Sequence, residues 1–318
     1  MELRNFFASI GIAVSGLALI HLAREIFVYV RPSSLPRYLK KDEKGTSWAF
    51  ISGASDGIGL GFAHELCRRG FNVFIHGRNY EKLRRLQDDL CALYPERQTK
   101  IVIYDASELA EDVDERIMDE VGDARLTLLV NNVGGMAMMK PSPYVKLHDF
   151  SYNEMKTVLD VNANFTAQLT RILLPRLMQS QPSLVINISS IAKLGFPWLV
   201  PYSATKAFVS ALGEGLSAEM RADKQDVEIL GVIVGSVSTA GHNVSEGLFV
   251  PSAGALASAT LDRVGCNRLS VWGYWSHRLR GFPLELISQK TFQAAATKEI
   301  RRLRQDILDK AADKDKDK

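Results

Sequence analysis

The chain has 318 residues, 46% of them hydrophobic and 24% charged, with 39 Lys and Arg against 36 Asp and Glu and a net charge of +3. That length makes one large domain or two small ones, because single cores stop growing near ~250–300 residues, and the composition excludes wholesale disorder and fibrous repeats. Balanced charge without a Lys/Arg block gives no field for nucleic acid, and Cys67, Cys91 and Cys266 are too few and too far apart for a disulfide scaffold or a metal site.

The three cysteines read instead as reduced thiols packed in helices of a cytosol-facing domain. From Phe6 to Ala23 only Ser9, Ser15 and His21 interrupt an apolar run, which Arg24 and Glu25 end before Ile26-Phe27-Val28-Tyr29-Val30. Its length reaches the lower edge of what a helix needs to cross a ~30 Å hydrocarbon core. A membrane anchor over residues 1–30 is the expectation. The competing readings are a signal peptide and an apolar packing or interfacial helix; against the first, Glu2 offsets Arg4 and the small-x-small triplet Gly16-Leu17-Ala18 lies inside the run. Residues 31–47, with Pro32, Pro36 and mixed charges, read as a linker. A domain over 48–281, a helical extension over 282–310 and a solvated charged tail over 311–318 complete the division.

Strands and helices alternate through the domain. Trp48 to Ser52 is a buried strand, Ile58 to Arg69 a helix ending at Gly70, and Asn72 to His76 the next strand, a βαβ unit that implies a parallel sheet. Tyr80 to Leu93 is helical with Leu83, Leu86 and Leu90 on one face; Lys100 to Tyr104 is a strand and Glu108 to Val121 a helix. Leu126 to Val130, Leu184 to Ile188 and Glu228 to Val234 are apolar runs of the kind buried on both faces. Long helices fit Ser151 to Gln179 and Pro201 to Lys224. The fold expected is α/β, a doubly wound parallel sheet of Rossmann type, in a single catalytic domain preceded by an apolar helix.

Gly53, Gly57 and Gly59 stand in GxxxGxG spacing within Gly53-Ala54-Ser55-Asp56-Gly57-Ile58-Gly59, between the first strand and its helix. Glycine allows the close backbone approach that a pyrophosphate requires, and the helix start supplies free N–H donors. An NAD site expects an acid at the end of the second strand to bind the ribose 2′-hydroxyl. Here Gly77 and Arg78 follow that strand, so a 2′-phosphate and hence NADP is favoured.

Tyr202 and Lys206 stand four residues apart, stacked on one helical face, where a cation lowers the phenol pKa toward usable acid/base range. Tyr152 and Lys156 share that spacing, but only Tyr202 follows a serine-tipped strand, ending at Ser190, so Tyr152 reads as a surface or packing residue.

These residues resemble the short-chain dehydrogenase/reductase family over nearly the whole chain. The resemblance implies a cofactor turn at Ser52 to Gly59, an adenine contact at Asp105, a strand end at Asn131-Asn132-Val133-Gly134, and a nicotinamide-holding segment at Gly235-Ser236-Val237-Ser238-Thr239. It implies a catalytic set of Asn162, Ser190, Tyr202 and Lys206, and cofactor contacts from Gly53, Ser55, Gly57, Ile58, Gly59, Arg78, Asp105, Asn132, Tyr202, Lys206, Val237 and Thr239. The apolar amino terminus, Leu35 to Leu39, Trp48, and Gly273-Tyr274-Trp275-Ser276-His277 are similar to the membrane-bound very-long-chain 3-oxoacyl-CoA reductases and related 17β-hydroxysteroid dehydrogenases. That subgroup implies NADPH, a small apolar ketone substrate and the endoplasmic reticulum membrane; the family also often dimerises through the two long helices.

Three departures bear on the expectation. Val234 stands where proline usually precedes Gly235, which is expected to loosen the nicotinamide loop. Ser190 is one residue nearer Tyr202 than usual, which leaves Ser189 as an alternative on the opposite face of the strand, with Ser190 preferred. Ser52 replaces threonine. The expected reaction is ketone reduction by NADPH, with Tyr202 as proton donor, Ser190 stabilising the oxygen, Lys206 holding the ribose and Asn162 positioning a water. The ketone is a 3-oxoacyl-CoA, a 17-oxosteroid or a secondary metabolite, and a catalytically silent NADP-binding membrane scaffold is the alternative of another class.

Residues 236–259 read as a mobile lid over an apolar chain. Cations after the apolar run, Arg24, Arg31, Arg37, Lys40, Lys41 and Lys44, place the domain on the cytosolic side. Sequons at Asn164, Asn187 and Asn243 are expected to become acceptors on the lumenal side, and Lys314 to Lys318 resembles a dilysine-type retrieval signal.

Overall fold

In the computed structural model, which describes residues 2–43, 45–136, 144–242 and 244–316, seven strands form one fully parallel sheet. They are β1 (Trp48–Ile51), β2 (Asn72–Gly77), β3 (Thr99–Ile103), β4 (Leu126–Asn131), β5 (Ser183–Ser190), β6 (Val227–Val234) and β7 (Ser270–Trp272), in the order β3-β2-β1-β4-β5-β6-β7. The order reverses between β1 and β4, so a crevice opens at their carboxyl ends, where doubly wound sheets bind ligands. Every residue of β1, β2 and β4 is buried, which explains why their sequences are continuous apolar runs and not alternating ones.

The helices are α1 (Glu2–Val30), α2 (Gly57–Arg68), α3 (Tyr80–Leu93), α4 (Val113–Val121), α5 (Tyr152–Leu159), α6 (Phe165–Gln179), α7 (Val200–Ala222), α8 (Ala253–Leu261), α9 (Trp275–Leu286) and α10 (Gln289–Lys316). One apolar layer sets Phe62 and Leu66 of α2, Leu83 and Leu90 of α3, and Leu256 and Leu261 of α8 against the sheet. The opposite layer uses Ile117 of α4, Phe165, Leu169 and Leu173 of α6, and Met220 of α7.

The structure departs from the expected elements in several places. The stretch 151–179 is not one helix: a π-helical turn at Asp160–Asn164 separates α5 from α6. A π turn keeps the backbone helical, so the stretch reads as one helix from its apolar spacing. The helix expected from Glu108 begins only at Val113. Upstream, the Tyr104 hydroxyl donates to Glu108 O at 2.7 Å and accepts from Ala110 N at 2.9 Å, engaging backbone groups that a helix would pair.

The expected lid is only partly irregular. Its second half is α8, with Leu256, Ala257 and Leu261 buried. The small residues there serve close packing: a Cβ placed on Gly61 of α2 would lie 2.6 Å from Ala253 O. Cys266 sits in a turn after α8 and not in a helix, and Cys91 is exposed. The charged stretch from 311 continues helix α10 as far as Lys316; residues 317–318 of the retrieval-like end, Lys44 and Asn243 lie outside the described residues.

The segment after α1 is packed, not loose. Leu35 and Tyr38 are buried in a 3₁₀ turn, Tyr38 Oη donates to Glu228, and Arg37 pairs with Asp226 at 2.8 Å. Within α1, Arg4–Val30 is long and apolar enough to cross a membrane, with a mean hydropathy of 2.0 in its most apolar window. Its last turns dock on the domain: Tyr29 Oη donates to Trp272 O at 3.1 Å, and Glu25 pairs with Arg268 at 2.8 Å and Arg278 at 2.9 Å.

Candidate active site

The turn after β1 is shaped by its glycines. Gly53 and Gly57 have φ of +66° and +56°, left-handed values that an L side chain rarely adopts. A Cβ on Gly59 would lie 2.1 Å from Gly53 O, so the helix start can close on the turn only as glycine. Asn132, just beyond β4, donates from Nδ2 to Ser52 O at 3.0 Å and Gly53 O at 3.1 Å. Ser52 Oγ in turn accepts from Asn132 N at 2.9 Å and Val133 N at 3.1 Å, so the serine found in place of threonine adds side-chain ties from β1 to the end of β4. Below the turn, the buried His76 accepts from Gly53 N at 3.4 Å; burial pushes its pKa down to about 4, which keeps the ring neutral. His76 was not among the expected site residues, since a lone histidine in a strand carries no sequence signal.

Other expected cofactor residues gather at the same crevice. A Cβ on Gly77 would lie 3.3 Å from Ser55 Oγ, and one on Gly57 would lie 3.3 Å from Thr239 Cγ2, so the turn, the β2 end and the segment after β6 are neighbours. Ile58 is half-buried against the core, and the Val237 side chain is buried, which leaves its backbone for any ligand contact. Arg78 is 73% exposed and its Nη1 lies 3.5 Å from Asp105 Oδ2. Burial alone would push the Asp105 carboxyl up, but hydrogen bonds from Ser107 and the Arg78 charge outweigh it and hold it below its usual range.

Asn162, Ser190, Tyr202 and Lys206 are gathered from the π turn, the end of β5 and the first turns of α7. Ser190 Oγ accepts from Ala192 N at 3.1 Å, capping a 3₁₀ turn at Ile191–Leu194, and shares a hydrogen bond with Tyr202. Ser189 points the other way, donating to Lys206 O at 2.9 Å beside Ser210 Oγ at 2.9 Å. Lys206 Nζ donates to Ile188 O at 3.0 Å and lies 5.8 Å from the Tyr202 ring centre. Asn162 is fully buried; its Oδ1 accepts from Gly135 N at 2.7 Å and its Nδ2 donates to Val158 O at 3.1 Å. A Cβ on Gly134 would lie 2.7 Å from Asn162 Oδ1 and 3.3 Å from Lys206 Nζ, so the β4 end, the π turn and α7 meet at that glycine.

The electrostatics differ from the simple expectation that Lys206 lowers the tyrosine pKa. Burial pushes the Tyr202 phenol up, and the Ser190 hydrogen bond offsets only part of this. Lys206 itself is driven down to about 8 by burial. The phenol is therefore held protonated near neutrality, the state a proton donor needs. Tyr152 is 81% exposed, and its partner in spacing, Lys156, pairs with Asp160 at 2.6 Å.

The family model for short chain dehydrogenases matches residues 47–246. The chain belongs to that family. It is an oxidoreductase acting on CH–OH/C=O groups. It is 30% identical over 250 residues to a very-long-chain 3-oxoacyl-CoA reductase of Aspergillus terreus, covering 76% of this chain and 69% of that protein. With the corresponding reductase of Caenorhabditis briggsae it shares 31% identity over 250 residues, 78% of this chain and 77% of the relative. A 7β-hydroxysteroid dehydrogenase structure superposes at a TM-score of 0.69 and 20% identity, covering 80% of this chain and 98% of that one. A short chain dehydrogenase of Shigella flexneri, complexed with NADP, does so at 0.62 and 22%, covering 71% and 94%. Both show the fold.

In this dehydrogenase the segment after β6 is held despite Val234. His277 of α9, itself buried, accepts from Gly235 N at Nδ1 (3.2 Å) and bonds Ser236 O through Nε2 (3.0 Å). That pairing makes the ring the neutral Nε2–H tautomer, and burial lowers its pKa accordingly. The loosening expected from the missing proline is countered by this clamp. Beside the Ser190–Tyr202 loop lies an apolar cluster of Tyr144, Leu199 and Ile300, with Met136, Phe196 and Trp198 packed on it. Its α10 contribution was not foreseen, because the helix docks only through the fold.

Proposed function

We propose that this oxidoreductase is a membrane-anchored, NADPH-dependent reductase of 3-oxoacyl-CoA esters. The observation that carries the reading is the meeting of Asn162, Ser190, Tyr202 and Lys206 at the carboxyl edge of the sheet, beside a turn that has no side chain at Gly53, Gly57 and Gly59. The relatives named as very-long-chain 3-oxoacyl-CoA reductases support the substrate class.

The residues present fit a nicotinamide dinucleotide. Gly53, Ser55, Gly57, Ile58 and Gly59 would cradle the pyrophosphate, Arg78 the 2′-phosphate and Asp105 the adenine. Asn132 would brace the turn from the β4 end, and Val237 and Thr239 would hold the nicotinamide half. Bound NADPH would supply the hydride for the carbonyl carbon. Tyr202 gives its phenolic proton to the carbonyl oxygen, completing the alcohol. Ser190 hydrogen-bonds that oxygen and stabilises the charge that builds on it. Lys206 holds the nicotinamide ribose and returns a proton toward Tyr202. Asn162, whose amide bonds Gly135 and Val158, would position the water that feeds that path. The apolar cluster by Leu199 and Ile300 offers a wall for an acyl chain.

The test is NADPH oxidation by the full-length protein with 3-oxoacyl-CoA esters, 17-oxosteroids and cyclic secondary-metabolite ketones. Turnover confined to the acyl esters is expected; turnover of the steroids alone would overturn the substrate, and cofactor binding without any turnover would make the protein a silent scaffold.

The same reading places α1 across the endoplasmic reticulum membrane with the domain cytosolic, since Arg24, Arg31, Arg37, Lys40 and Lys41 follow the apolar run. Protease should digest the domain on sealed microsomes without detergent, and protection would reverse the orientation. Glycosylation is a poorer reporter than the three sequons promise. Asn187 is buried in β5, where its Oδ1 accepts from Asn131 at 2.8 Å, so the folded domain closes it to modification; Asn164 alone of the described sequons is exposed.

A further inference from the structure

Helix α9 leaves a strip of large apolar side chains uncovered: Trp275 at 46%, Leu279 at 57%, Phe282 at 40% and Leu286 at 71% exposure. At 100° per residue these four positions fall within an arc of about 60°. The opposite face is spoken for, with His277 clamping the segment after β6 and Gly281 pressed on Trp272, where a Cβ would lie 2.1 Å from the ring. The strip is therefore not a packing face left over from the core.

Its position decides what covers it. Arg278 Nε pairs with Glu25 of α1 at 2.9 Å, its guanidinium lies 5.4 Å from the centre of the Phe282 ring, and Arg268 grips the same carboxylate at 2.8 Å. Exposed apolar residues on α1 do not end at Ala23; Ile26, Phe27 and Val30 continue them to where the helix meets α9. The Glu25–Arg278 pair thus joins the apolar end of the candidate span to the helix that carries the strip. A helix with Trp, Leu and Phe on one face and arginines near it has the make-up of an element lying in the headgroup boundary.

We propose that α9 lies in the surface of the bilayer that α1 enters, its strip seated at the acyl–headgroup boundary, so that the domain is held against the membrane at two points. This rests on the anchor reading of α1. A rigid two-point seat fixes the face that the domain turns to the lipid, and it puts the membrane on the reverse side of the helix whose His277 holds Gly235 and Ser236.

Full-length protein is reconstituted into phosphatidylcholine/phosphatidylserine vesicles carrying acyl-brominated lipid. The exposed thiol is removed by Cys91→Ser, and an environment-sensitive dye is placed at Leu279→Cys or, as control, at the exposed Leu93→Cys on α3. Expected are a blue shift and loss of most of the emission at 279, with neither at 93. Vesicle-bound protein whose dye at 279 stays unquenched would overturn the proposal, as would a blue shift at 279 that appears in detergent with rising protein concentration, which would assign the strip to a second copy. Protein that fails to float with vesicles would overturn the anchor reading itself, a result distinct from an unquenched dye on floating protein.

Discussion

Arg78 faces Asp105 across 3.5 Å, so the two groups proposed for the adenosine end of the cofactor hold each other. Both are partly open to water, and a surface pair of this kind contributes little by itself. The carboxylate keeps its Ser107 hydrogen bonds whether or not Arg78 stays. The guanidinium is therefore free to turn to a 2′-phosphate at small cost.

Arg78→Ala should narrow the preference for NADPH over NADH by roughly ten- to a hundredfold, the worth of one charge-assisted contact of about 1.5–3 kcal/mol. Dissociation constants for both nucleotides measure it, and an unchanged ratio would remove Arg78 from the site.

Tyr202→Phe should abolish turnover and leave NADPH binding nearly intact, because only the transferable proton is lost. Tyr152→Phe, at a residue 81% exposed, should be close to silent. Exchanged phenotypes in steady-state assays would misplace the active site.

The two serines should separate by phenotype. Ser190→Ala removes the hydrogen bond to Tyr202 and the cap on Ala192 N, and should depress kcat sharply while costing about 1 kcal/mol of stability. Ser189→Ala breaks a buried link from β5 to α7 and should cost about 1 kcal/mol of stability with kcat largely kept. Thermal melts and kcat measured side by side decide between them.

Burial drives Lys206 down to about 8, below its unfolded value of about 10.4. Between those two values the unfolded chain binds the extra proton, so this residue's contribution to stability rises with pH across that window. Function should move the opposite way, since the ammonium is lost. NADPH affinity should fall as pH passes about 8, and Lys206→Arg should carry that decline to higher pH; a flat profile in the parent protein would argue against the ammonium as a ligand.

His277→Leu strands Gly235 N–H and Ser236 C=O, and should raise the KM for NADPH several-fold with a smaller effect on kcat. His277→Gln, which can still donate and accept, should restore part of the affinity. Equal effects of both changes on KM and melting temperature would reduce His277 to a packing residue.

Much of this protein was legible in the chain alone because the information is local. The β1 turn needs glycine at 53, 57 and 59 for reasons of φ and close approach that hold wherever such a turn occurs. The spacing of Tyr202 and Lys206 is helix geometry, and the apolar runs of β1, β2 and β4 follow from burial on both faces.

What the chain could not disclose depends on partners far away in sequence. Strand alternation already set Ser189 and Ser190 on opposite faces, but only the folded sheet supplies Ser210 and the Lys206 carbonyl as partners for Ser189, and only the assembled core shows burial holding the Tyr202 phenol protonated against the expected pull of Lys206. The π turn at Asp160–Asn164 falls inside a stretch that reads as one helix. Likewise His277 reaches a loop 42 residues away, and Arg278 reaches Glu25 across 253 residues. Such contacts are fixed by the packing of whole layers, which a pattern of neighbours along the chain does not encode.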